Sequence, residues 1–249
     1  MIDRILARRQ ARILLVALAG LLELHGHLIG QTVAARITTP PSAPIDLTGY
    51  WVSVVTTTEW RLRMVTPAKG DFLGVRMTPA GLKIANAWDP GKDEAAGDQC
   101  KSYGAAGIMR IPGRLHITWQ EEKTLRMDLD AGTQSRLFHL GDAKAPPGEA
   151  TLQGHSVAQW DTSGTGGLKV VTNHLRAGYL RKNGIPYSEN AILREYYDVV
   201  RERTGELWLI LTSVVEDPVY LQQPYTTSVQ FKREPNAAGW DPTPCSSSW

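Results

Sequence analysis

Through most of the chain, apolar and polar residues alternate in short runs broken by Gly, Pro, Asp and Asn. The run RLHITWQ places Leu115, Ile117 and Trp119 on one side and His116, Thr118 and Gln120 on the other, the period of a half-buried strand. TLRMDLD, SRLFHL, HSVAQWD, LKVVTNHL, LWLILTSVV and TTSVQFKRE repeat this grammar. WVSVV and WRLRMV read as an opening strand pair, and IMRIP as the first run of a meander. AILREYYDVVRE is readable as helix or strand, but Ile192, Tyr196, Tyr197, Val199 and Val200 favour a strand, with Glu202-Arg203-Thr204-Gly205 as its hairpin turn. One segment departs from the pattern. Thr78-Pro79 before AGLKIANAW predicts a short helix, with Thr78 as cap and Pro79 in the first turn. DPGKDEAAGDQC reads as a polar loop, RKNGIP as a turn and AKAPPGE as a Pro-rich break. The same strand pattern continues after that break, so the expectation is one domain, residues 46–249, holding an antiparallel barrel of about ten strands and one short helix.

The N-terminus follows different rules. Arg4, Arg8, Arg9 and Arg12 precede the apolar run Ile13–Leu22, and Thr32-Val33-Ala34-Ala35 then offers small residues. This is a secretory leader pattern over residues 1–35; an uncleaved anchor is the alternative, although the run is short for a membrane span. Residues 36–45, with ITTPPSAP, form a stiff extended linker. The leader changes the reading of charge. Of 27 Lys and Arg and 25 Asp and Glu, it holds four Arg against Asp3 and Glu23, so the remainder is neutral. Neutrality gives no electrostatic case for nucleic acid or for an anionic membrane surface. The expected location is periplasmic or secreted, without stable membrane insertion once the leader is gone. The 42% hydrophobic content excludes general disorder, and 23 Gly with 15 Pro fit a turn-rich strand protein.

The two cysteines, Cys100 and Cys245, suit a disulfide in an oxidising compartment. Two free, buried thiols are the alternative. A bridge would tie the C-terminal tail to the first half and contribute about 3–5 kcal/mol on the chain-entropy model.

Gly49-Tyr50-Trp51, at the head of the first strand, resembles the Gly-x-Trp opening of lipocalin-like (calycin-type) barrels, in which the Trp plugs the closed end. Three further phrases are similar to those of a large group of exported bacterial proteins with no established activity. They are Gly154-His155-Ser156 through Trp160-Asp161, Gly184-Ile185-Pro186-Tyr187-Ser188-Glu189, and Glu216-Asp217-Pro218-Val219-Tyr220. In that group the second phrase usually reads Pro-His-Ser-Glu. Tyr187 departs from it, so no role for an imidazole carries over to this position. The openings DLTGYW and DEAAGDQCKSYGAAGIMR point to a closer subgroup. The resemblance covers most of the chain after the leader and implies shared architecture, not a reaction.

Candidate chemistry concentrates between Gly154 and Asp217. His155 and His174 are two of the four histidines outside the leader, and either is able to move a proton near neutral pH. Glu189, Glu195 and Glu216 are the carboxylates that would serve such a histidine. Glu195 lies in an otherwise apolar strand; facing inward it must be paired or protonated, with Arg136, Arg194 or His155 as the available partner. Arg136 or Tyr187 would stabilise developing negative charge. Trp160, His174, Tyr187 and Tyr197, with Arg136, are the ligand-binding candidates, because aromatic rings supply burial and a polar tip. Each of these has a plain structural reading: a hydrogen-bonded strand histidine, a turn cap, a rim residue. No Gly-x-Ser-x-Gly elbow, HExxH or P-loop is present. His155 and Ser156 alternate across their strand and so do not form a nucleophile–base pair. No cofactor and no metal are expected.

These residues lead to a barrel that binds a small apolar or aromatic molecule. It would act as a carrier or sensor, or carry out cofactor-independent acid–base chemistry (a lyase, isomerase or hydrolase) through His155 and a glutamate. A structural envelope protein with a filled barrel is the third expectation.

Overall fold

The alternating runs become nine strands of one closed barrel. A computed structural model describes residues 43–248, except 57–58, 66, 73, 142–143, 145–147 and 164–165. The leader, most of the linker and most of the Pro-rich break lie outside the described residues. In chain order the strands are β1 (Gly49–Val54), β2 (Arg114–Glu121), β3 (Thr124–Leu129), β4 (Gln134–Leu140), β5 (His155–Asp161), β6 (Gly167–Asn173), β7 (Gly178–Tyr179), β8 (Pro186–Tyr187), β9 (Ile192–Arg201), β10 (Leu207–Glu216) and β11 (Tyr225–Glu234). The barrel order is β1-β11-β10-β9-β6-β5-β4-β3-β2, and β7 pairs only with β8.

The expected all-β barrel with a short helix is present, and its details depart from expectation in several places. The barrel has nine strands rather than about ten, the last pair being the small β7–β8 hairpin. One seam is parallel: β4 and β5 run the same way, with Phe138 opposite Ser156 and Leu140 opposite Ala158. The connection from Gly141 to Gly154 makes this possible, because a parallel pair needs the chain carried back to its starting end. WRLRMV is not a strand. Trp60–Arg63 forms the single-turn helix α1; it buries Arg63, at 1% exposure, while Trp60 and Met64 face water. IMRIP also turns out of strand geometry. Ile108 and Met109 are both buried, which a strand with one buried face does not allow.

The helix α2 (Pro79–Ala87) starts as expected, with Thr78 Oγ1 accepting from the Gly81 amide at 3.1 Å. The supposed polar loop carries a second helix, α3 (Pro90–Ala95), capped by Asp89 in the same cap-then-proline arrangement, followed by a 3-10 turn at Gln99–Tyr103. The short helix α4 (Ala105–Ile108) leads to β2.

The long connections between β1 and β2, β6 and β9, and β10 and β11 all leave the barrel at one end. They build a cap there. Two apolar clusters follow. Inward positions of the strands fill the barrel with Trp51, Ile117, Met127, Phe138, Tyr197, Leu211 and Phe231 among others. The second cluster joins the cap to the strand ends through Met77, Ala105, Leu180, Tyr187, Leu193 and Val215. Each such side chain taken from water stabilises by about 1.5–3 kcal/mol. Trp51 is fully buried and donates from its indole to the Leu47 carbonyl at 2.9 Å, while the Arg233 guanidinium lies 5.3 Å from its ring centre.

Candidate functional site

A polar layer lies inside the barrel beneath the cap. β9 alternates Leu193, Glu195 and Tyr197 inward, and the register sets Val170 of β6 and Ser213 of β10 beside Glu195. Arg136, inward on β4, meets this carboxylate with two hydrogen bonds, Nη1 to Oε1 at 2.8 Å and Nη2 to Oε2 at 2.6 Å. Tyr197 donates to Oε1 at 3.0 Å. Thr172 accepts from Arg136 Nη2 at 3.5 Å and shares a 2.7 Å hydrogen bond with Ser156. Burial opposes the charge on Arg136, but Glu195 outweighs it and holds the guanidinium above its ordinary value. Burial first, and then the Glu195 carboxylate, raises the Tyr197 phenol. Neither side chain of the ion pair reaches water. Trp160 packs at the edge of the barrel cluster. This layer is thus a network closed to water in which most of the polar groups bond one another, while Arg136 Nε is buried without a hydrogen-bond partner.

His155 does not join it. Ser156 points inward to Thr172, so its neighbour His155 points out. There it stacks against His139 of β4, with ring centres 5.2 Å apart and ring planes 20° from parallel. His139 Nδ1 lies 3.4 Å from Thr124 Oγ1. Burial, and then the adjacent His155, lowers the His139 pKa. The pairing of His155 with Glu195 is therefore corrected: the two occupy opposite faces of the sheet. His139, absent from the sequence candidates, is the residue the fold brings to His155. Its position in SRLFHL carries no signal of this, because the alignment arises from the parallel β4–β5 seam.

The remaining candidates separate. Glu189 is exposed in the turn after β8. Glu216, half exposed, lies 3.5 Å from Arg194 across the outer face. Asp217, not Glu216, is the buried anchor of the Glu-Asp-Pro phrase. Its carboxylate accepts from the Ser188 amide at 2.6 Å, the Ser188 hydroxyl at 2.8 Å and the Val219 amide at 2.9 Å. Ser188 and Asp217 therefore clamp β8 to the end of β10. Tyr187 is fully buried between Gly104 and Gly178, where any side chain would collide with its hydroxyl. That burial raises its pKa. His174 sits in the left-handed region at φ 57° beyond β6, its Nε2 3.0 Å from the Gly148 carbonyl.

The outer face holds an open depression. Outward side chains of β5, β6 and β9 align in two rows: Val157, Val171 and Arg194, then Gln159, Lys169 and Tyr196. Together they line a half-open groove of about 330 Å³. Val171 and Tyr196 are 36% and 38% exposed, an apolar floor on a face that alternation usually makes polar. Lys169 and Arg194 flank it, paired to Asp161 at 2.7 Å and to Glu216. Within the pairing register, His139 lies opposite Val157, so the histidine pair borders the groove.

Among the described residues, no group of three or more His, Cys, Asp or Glu is placed to hold a metal ion, and no helix is long and apolar enough to cross a membrane. Compared with known proteins, the chain matches no family model and no curated protein.

Proposed function

We propose that the protein is an exported carrier or sensor that holds a small, largely apolar or aromatic molecule in the outer groove of β5, β6 and β9. The observation that carries this reading is the contrast between the two faces of the same strands. Inside, Glu195, Arg136 and Tyr197 are sealed from water and bonded to one another, with Arg136 Nε left without a partner. Outside, Val157, Val171 and Tyr196 form an apolar floor within a volume of ligand size. Gln159, Lys169 and Arg194 would orient the polar end of the guest. Export is supported by the leader pattern and by the Cys100–Cys245 disulfide.

A second reading keeps the acid–base chemistry and moves it. The His139–His155 stack on the groove's border supplies two imidazoles able to exchange a proton with a bound molecule. A cofactor-independent lyase, isomerase or hydrolase would then use these histidines in place of a histidine–glutamate pair.

Native mass spectrometry of the protein, purified without reductant from its own periplasm, tests both. A retained small molecule that is lost in Tyr196→Ala and in Val171→Lys supports the groove. Retention unaffected by either change would sink it. Conversion of the released molecule by the native protein, abolished in His155→Asn with binding intact, selects the enzyme.

A further inference from the structure

We propose that Arg63, Arg110 and Arg181 form a binding site for a single oxyanion group, the carboxylate or phosphate end of a small molecule, at the capped end of the barrel. The three residues come from three segments of two connections: α1 and the turn after α4 in the β1–β2 connection, and the segment leading to β8 in the β6–β9 connection. They converge with Ser102 and Gly107 on a small half-open cavity of about 20 Å³. Arg63 is 1% exposed. Its Nε donates to the Arg110 carbonyl at 2.9 Å, and its Nη1 donates to the Val54 carbonyl at 3.1 Å and to Glu59 at 3.2 Å. Its Nη2 is buried without a hydrogen-bond partner, and so is Nη2 of Arg110. Arg181, 9% exposed, is held by the Tyr225 hydroxyl at 3.0 Å and the Phe72 carbonyl at 3.3 Å. The ring of Tyr225 lies 5.3 Å from the Arg181 guanidinium and 5.9 Å from that of Arg110.

Two features point to an anion. A buried guanidinium N–H left unbonded is costly, and proteins rarely keep one; here two belong to residues that line the same cavity. Three guanidinium groups also gather, with Lys182 beside them on the lining, and among the described residues Arg63–Glu59 is the one ion pair of these arginines. Burial lowers the pKa of both Arg63 and Arg110, and each arginine's neighbouring guanidinium adds to that. An oxyanion would answer the bonding deficit and the charge excess together, since planar guanidinium groups match two oxygens of one carboxylate or phosphate. Size sets the class further. The cavity, about 20 Å³, has room for about one water-sized group, so it takes an oxygen of the anion while the rest of the headgroup and of the molecule lies in its open mouth.

The test is calorimetric titration and thermal denaturation of the whole protein with inorganic phosphate and with acetate, each against sodium chloride at matched ionic strength. One of the two anions is expected to bind one-to-one and to raise the unfolding midpoint; whichever responds identifies the headgroup. Arg110→Gln, which leaves the backbone carbonyl that holds Arg63, is expected to weaken that binding at least about tenfold. Glu59→Gln removes the resident carboxylate and is expected to strengthen it by on the order of tenfold. The proposal is overturned if neither anion exceeds chloride, or if Arg110→Gln binds like the native chain. Should that variant fail to fold, an unchanged affinity in Glu59→Gln overturns it equally.

Discussion

Arg136 and Glu195 face each other inside the barrel through two parallel hydrogen bonds, 2.8 and 2.6 Å long, and neither side chain is exposed. The pair lies at the junction of the barrel cluster and the cap cluster, held by Tyr197 and Thr172. Removing one member leaves a buried charge unanswered, at a cost of about 3–5 kcal/mol. Glu195→Gln and Arg136→Met are each predicted to lower the urea-derived stability by that amount. The triple change Arg136→Met, Glu195→Leu, Tyr197→Phe removes the charges and the dependent hydroxyl together. It is predicted to recover most of the loss. A triple variant as unstable as the single ones would show that the layer stabilises the barrel by more than its own desolvation.

The sequence narrowed Glu195 to three partners and left the choice open, because the partner depends on barrel closure. Strand alternation located β2 to β6 and β9 to β11, since each has one wet face. It failed where a polar residue took the buried place, as Arg63 does in α1, and where two successive residues are buried, as at Ile108 and Met109. The Asp89-Pro90 start of α3 repeats the Thr78-Pro79 signature and was legible, but a charged, Gly-containing stretch masked it. The cationic cavity left no trace in sequence. Arg63, Arg110 and Arg181 lie far apart along the chain and meet only because the β1–β2 and β6–β9 connections leave the same barrel end.

Lys182 predicts an alkaline response. Burial lowers its pKa from 10.5 to about 8, with Glu94 opposing the shift; the side chain is 5% exposed and bonds to the Tyr103 hydroxyl at 2.7 Å. Between pH 8 and 10.5 the unfolded chain holds this proton more tightly than the folded one, so stability rises with pH across that window. Below pH 8 both states are charged and the full cost of burying the ammonium persists. The gain is predicted to be at most about 3 kcal/mol. Chemical denaturation at pH 7.5, 9 and 10.5 measures it, and Lys182→Met should flatten the slope. An unchanged slope in the variant would assign the response to other groups.

On the acid side the histidines follow the same rule with the same sign. Burial lowers the pKa of His139 below 6.5, with His155 adding to the effect. Burial also lowers His116, whose ring stacks on Tyr50 at 4.0 Å. Both remain neutral in the folded chain at a pH where the unfolded chain already binds protons. Stability present above pH 6.5 is therefore lost as the pH falls below it, until the folded-state values are passed. His139→Gln and His116→Gln are each predicted to flatten the denaturation profile between pH 6.5 and 5. The double variant should flatten it most. Equal slopes in native and double variant would contradict this.

The Cys100–Cys245 disulfide joins residues 145 apart in sequence, and on the chain-entropy model a loop of that size contributes about 5 kcal/mol. Reduction, or the paired change Cys100→Ser and Cys245→Ser, is predicted to lower the thermal midpoint by roughly 10–20 °C. The bond also fixes the tail beside the cap. Ser247 donates its amide to Glu94 at 2.8 Å, and Ser246 to the Tyr103 hydroxyl at 3.3 Å. Ser248 accepts from Lys182 at 3.4 Å. Releasing the tail opens the surroundings of Lys182 to water, so the reduced protein should return that ammonium towards its ordinary value. The rise of stability above pH 8 would then shrink together with the midpoint. A reduced protein that loses the midpoint but keeps the alkaline slope would show that the cap alone, without the tail, shields Lys182.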